Sequence, residues 1–221
     1  MNFLNISETA QIHGGSWKFQ VPNHPDQPPQ LHNENHQAIG LKFIVGSPRA
    51  ELAVSGTSII YSEYEYSGFD NFSENLLKIA ESAKSVLDVQ RVSCVGLRKI
   101  NSMHVGPVSS IQDAVSAFNP ALFGMVKSGV AETQTVKVFE GSLALQKDSY
   151  ACLIKHRLRN LEEDNRFEVN LDFDLLDQNE RVIDNNFSEL LEHLNDTSFD
   201  VFSWAVGKEL TGIMNSVSSS E

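Results

Sequence analysis

The sequence predicts an α+β protein of two similar β-rich halves, each a set of antiparallel strands followed by a long amphipathic helix, with sheets able to join into one. Three observations carry that reading. Strands cluster ahead of each helix instead of alternating with helices. Residues Phe167–Leu175 alternate apolar and polar side chains without a break, the period of a strand with one buried face. The run Asn71-Phe72-Ser73-Glu74 returns as Asn186-Phe187-Ser188-Glu189, each time where a strand-rich stretch gives way to a helical pattern.

Taken in order, residues 1–38 read as an irregular N-terminal segment, because Pro22, Pro25, Pro28 and Pro29 remove backbone donors and fix φ. The same segment holds His13, His24, His32 and His36, whose spacing matches no zinc-binding pattern. The first strand–helix half is placed at 39–104. Its strands are rich in β-branched and aromatic residues, with turns at Gly46–Pro48 and Ser55–Ser58. A helix from Asn71 buries Phe72, Leu76, Ile79, Ala80, Ala83 and Leu87, and Asn71 with Glu74 is spaced as a capping box. Arg91–Ile100 reads as a strand in which Gly96 marks a bulge or a close neighbouring backbone. Residues 105–131, with a short helix at Ile111–Phe118, read as a linker.

The second half, 132–221, opens with strands at about Thr135–Lys147 and Ser149–Arg159. Antiparallel pairing through the loop 160–166 sets Arg159 by Glu168 and Lys155 by Asp172, and leaves an apolar face to pack on a helix. That helix runs from Asn186 to about Met214, with Gly207 as the place where it bends or ends its first part.

The stretch Val95-Gly96-Leu97-Arg98-Lys99-Ile100-Asn101 after the first helix, the late Asn170-Leu171-Asp172-Phe173-Asp174 strand and the closing helix carrying Leu190-Leu191-Glu192-His193 together resemble a sporadically distributed family of prokaryotic proteins with a Leu-Arg-Tyr-Ile-Asn-type strand motif. The likeness covers roughly residues 58–214 and departs at Lys99, where the family carries an aromatic residue. The resemblance implies a layout and no mechanism. The family's patchy distribution implies, by analogy, a place in a defence or toxin–antitoxin-like system.

Charge narrows the function classes. The chain of 221 residues carries a net −12, which argues against general nucleic-acid binding. Residues 161–200 hold thirteen acidic against two basic side chains, so one segment carries nearly the whole imbalance. No apolar run is long enough to span a membrane, and the N-terminus lacks the pattern of a signal peptide, so the expected compartment is the cytoplasm. No phosphate-binding loop, dinucleotide fingerprint, zincin motif, nucleophile elbow or Cys-x-x-Cys motif occurs.

Four groupings are candidates for function. Glu189, Glu192, Asp196 and Asp200 are spaced 3, 4 and 4 apart, so they form one helix stripe suited to a basic protein partner. Arg98 and Asn101 end a strand where a guanidinium could clamp a carboxylate or phosphate of a ligand. Glu168, Asp172 and Asp174 share a strand face, as a metal-dependent phosphodiesterase or nuclease would need. Cys94 or Cys152 with His104 or His156 is the remaining nucleophile pairing, opposed by the apolar setting of both thiols. The favoured reading is a non-enzymatic interaction protein with an acidic surface, without cofactor or metal. Direct contact with nucleic acid or membrane is not expected, and self-association is left open. A small-ligand sensor anchored on Arg98 and the carboxylate-based phosphodiesterase are the alternatives.

Overall fold

The computed structural model describes residues 6–20, 30–46, 49–128, 136–161, 165–184 and 186–218, with side chains described for 40–44 and from 49 to 207 within those ranges. It is an α+β protein with antiparallel sheets, as expected. The chain divides into two compact units, Met1–Leu76 and Leu77–Glu221.

The first unit is a four-stranded antiparallel meander in the order β1 (Ile6–Gln20), β2 (Gln30–Gly46), β3 (Arg49–Ser55), β4 (Ile59–Glu63). The reading of residues 1–38 as irregular is therefore corrected at 6–20 and 30–38. All four prolines fall in 21–29, outside the described residues and between β1 and β2. Proline leaves a ladder intact when it sits beyond the strand ends, and the polar runs to either side pair through their backbones. At β3–β4 the buried residues are Ala50 and Tyr61. Helix α1 (Phe69–Val86) starts in this unit, and Phe72 of its first turn stacks on the Tyr61 ring at 5.5 Å. The expected capping box does not form here. The helix begins two residues ahead of Asn71, whose side-chain amide donates to Ser67 Oγ at 3.2 Å.

The second unit is built on a sheet ordered β6 (Val95–Val105), β9 (Phe167–Asp177), β8 (Tyr150–Asn160), β7 (Val138–Lys147). A two-stranded ribbon, β5 (Arg91–Val92) with β10 (Arg181–Val182), accompanies it. The β8–β9 register sets Arg159 opposite Glu168 and Lys155 opposite Asp172, as the loop length and charge pattern predict. β6 pairs with β9 in unbroken register, so Gly96 is no bulge. It is the close approach: a Cβ there would stand 3.2 Å from Leu176 Cδ1 and 3.3 Å from the Leu175 carbonyl oxygen.

One face of this sheet is the core. Phe167, Val169, Leu171, Phe173 and Leu175 of β9 are all buried, together with Ile154 and Leu158 of β8. Helix α4 (Phe187–Ser218) packs on β6 and β9, with Phe202 edge-on to Phe173 at 6.1 Å. Fully burying side chains of this size contributes about 1.5–3 kcal/mol each. Phe187, the first residue of α4, is buried, and the Asp184 carboxylate accepts from Asn186 N at 3.0 Å just ahead of it.

The segment 105–131 holds two helices, α2 (Ile111–Val115) and α3 (Pro120–Lys127), whose Ile111, Val115, Leu122, Phe123 and Val126 are buried. The start of α3 is written in its sequence: Asn119 caps it by accepting from Ala121 N at 2.9 Å, and Pro120 follows as a first-turn residue whose missing donor costs nothing. The same Asn119 closes α4. Its backbone N–H donates to the Ala205 carbonyl at 2.8 Å and its side-chain amide to the Trp204 carbonyl at 3.2 Å. Two residues after Ala205, α4 breaks at Gly207, with φ 70° and ψ 168°.

Candidate functional site

The parity of β9 splits its side chains between two environments. Odd-numbered residues enter the core, while Glu168, Asn170, Asp172, Asp174 and Leu176 lie on the other face beside Arg98 of β6 and Lys155, Arg157 and Arg159 of β8. Two of the three carboxylates there are engaged. Asp172 takes a two-pronged grip from Arg98, Nε at 2.8 Å and a terminal nitrogen at 2.6 Å. This diagonal pairing holds β6 to β9 and raises the affinity of the guanidinium for its proton. Glu168 lies 3.9 Å from Arg159 and accepts from Ser102 Oγ at 3.2 Å. Among the described residues no group of three His, Cys, Asp or Glu side chains is placed to hold a metal ion.

Arg98 is exposed, with its guanidinium on Asp172, and Asn101 sits on the opposite face of β6, across from Leu171. Three residues apart on a strand, the two side chains leave on opposite sides. The structure does not bring them together around one ligand. The cysteine readings separate as well. Cys94 is exposed between β5 and β6, not inside a strand. Cys152 and His156 are four residues apart along β8, roughly 13 Å, which is far beyond thiol–imidazole reach. Burial pushes the Cys152 thiol up, with Asp174 adding to the effect. His13, His32 and His36 have side chains outside the described residues, as does all of His24.

The grouping on α4 is intact. Phe187, Leu191, Leu194, Ser198 and Ala205 face the sheet and are buried. Glu189, Glu192, Asp196 and Asp200 are all exposed. None of the four makes an ion pair with a described residue. The Lys99 ammonium, half-buried under the helix, donates to Asn195 Oδ1 at 2.6 Å and feels Asp196 only at longer range. Burial lowers its proton affinity.

Two aromatic side chains that sequence reasoning missed share this outward side. Phe199, three residues after Asp196, is 56% exposed, and Trp204, four residues after Asp200, is 40% exposed. Their positions i+3 and i+4 from the carboxylates were a usable signal.

No protein-family model, curated protein or solved structure matches this chain. No helix among the described residues is long and apolar enough to cross a membrane.

Proposed function

We propose that this protein is a non-enzymatic interaction module that offers the outward side of α4 to a basic protein partner. The observation that carries the proposal is the state of Glu189, Glu192, Asp196 and Asp200. They form one exposed stripe with no ion pair among the described residues. Like charges at that spacing cost a helix about 0.2–0.5 kcal/mol per pair, so beyond Glu189, which complements the N-terminus of α4 from its first turn, the stripe does not serve the stability of the helix. A partner bearing Lys and Arg relieves that repulsion. Exposed Phe199 and Trp204 supply apolar and cation–π contact to the same partner, the combination found where binding energy concentrates in an interface.

Two competing readings have less support. A phosphodiesterase centred on Glu168, Asp172 and Asp174 needs carboxylate oxygens open to a metal, and Arg98 and Arg159 engage two of the three. A sensor anchored on Arg98 needs that guanidinium buried and unspent, and it is exposed and bound to Asp172.

The test compares capture by the wild-type chain and by Glu192→Lys/Asp196→Lys from cells that naturally contain the protein, with thermal stability recorded for both. The proposal expects a stoichiometric basic protein on the wild-type chain that is lost from an equally stable double variant. Equal capture by both would refute it.

A further inference from the structure

A buried histidine lies outside the acidic face. His156 stands on the core face of β8, opposite Leu171 of β9 and Gly141 of β7, with 7% of its surface exposed. Phe123 of α3 meets the ring edge-on at 5.1 Å, and Phe139 of β7 lies 5.8 Å away. Gly141 makes room for it: a Cβ there would stand 2.4 Å from Nε2, so the imidazole rests on bare backbone. Nδ1 is buried with no hydrogen-bond partner.

Among the described residues no counter-charge reaches this box from the elements packed around it. Glu140 and Arg157 lie on the other face of β7 and β8 and pair with each other at 3.0 Å. Glu168, Asp172 and Asp174 lie on that same outer face of β9, and Asp177 is held by Arg181 at 2.6 Å. The charged residue of α3, Lys127, donates to the Ser116 and Phe118 carbonyls. On α2, Asp113 is exposed. A neutral imidazole fits such a site. An imidazolium must place a second N–H and a full charge among phenyl rings without an acceptor.

We propose that His156 is an acid-sensitive latch, which holds α3 against β7 and β8 while neutral and releases it on protonation. Burial already pushes the imidazole below its usual range, with the Leu122 carbonyl opposing the shift in part. The sign follows from linkage. The unfolded or opened chain binds the proton better than the closed one, so closure is favoured above the ordinary imidazole range and weakens as pH falls below it. Release of α3 also frees Asn119, and with it the cap on the Trp204 and Ala205 carbonyls of α4.

Backbone hydrogen exchange on the full chain at pH 7.5 and 5.0, corrected for intrinsic rates, tests the latch. With an opened-state imidazole near 6.5, protonation at pH 5.0 favours opening by up to about thirtyfold. Protection of α3 amides should fall by up to that factor while β9 amides hold. His156→Phe should abolish the difference between the two pH values. The His156 ring signal in a proton NMR titration of the wild-type chain should stay unshifted around pH 6.5, which decides the matter if the variant fails to fold. Equal loss in α3 and β9, the same α3 loss in His156→Phe, or ordinary titration of His156 with α3 still protected would each overturn the proposal.

Discussion

Gly207→Ala should be among the most damaging single-methyl additions to the second unit. The residue adopts φ 70° and ψ 168°, a region that residues with a Cβ avoid. Holding an alanine there costs roughly 1–3 kcal/mol. The added methyl would also stand 2.8 Å from the Ala117 carbonyl oxygen. That contact partner is backbone, so relief requires moving the turn between α2 and α3 away from α4. Such overpacking adds about 1–3 kcal/mol. The combined expectation is about 2–6 kcal/mol, a large part of the stability of a small domain. Urea unfolding followed by far-UV circular dichroism, with an unchanged slope, reads the difference. A loss below about 1 kcal/mol would refute the argument that α4 must break at this position against the α2–α3 turn.

Phe187→Ala removes the buried first residue of α4 and should cost about 3–5 kcal/mol in the same assay; a loss near that of an exposed site would contradict its placement in the core. Arg98→Ala should cost about 1 kcal/mol or less, because its partner Asp172 is shielded but the guanidinium is exposed; a much larger loss would mean that the pair supports more than the β6–β9 seam. In thiol alkylation of the folded chain at pH 8, exposed Cys94 should react well ahead of Cys152, whose thiol is pushed up by burial; comparable rates would contradict the β8 packing.

How much of this was legible in the sequence depends on the range of the interaction. The alternation of Phe167–Leu175 reports a local rule, and β9 follows it residue by residue. The pairing of β8 with β9 was legible too, since a short loop leaves few registers and the charges select one. The Asn-Phe-Ser-Glu repeat located two helix starts within a few residues, but not the division between compact units, which falls inside α1. β6 belongs to the sheet of the second unit, more than sixty residues away from its partner β9 in sequence. No local pattern encodes that choice, so Arg98 could not be matched to Asp172 in advance. β1 and β2 were hidden by prolines that cluster between them. The acidic stripe was readable because helical spacing is local. Its exposure depended on which side of α4 the sheet takes, a question settled by packing.

If α4 binds a basic partner through its exposed carboxylates, as proposed, that binding depends on salt. Affinity for the captured partner would be measured by titration calorimetry at 50 and 300 mM salt, for the wild-type chain and for Glu192→Lys/Asp196→Lys. Exposed charges are screened over about 8 Å at physiological ionic strength. Wild-type affinity should fall at least about tenfold between the two salt concentrations, and the double variant should bind weakly with little further salt dependence. Affinity that is insensitive to salt, or equal in the two chains, would contradict it.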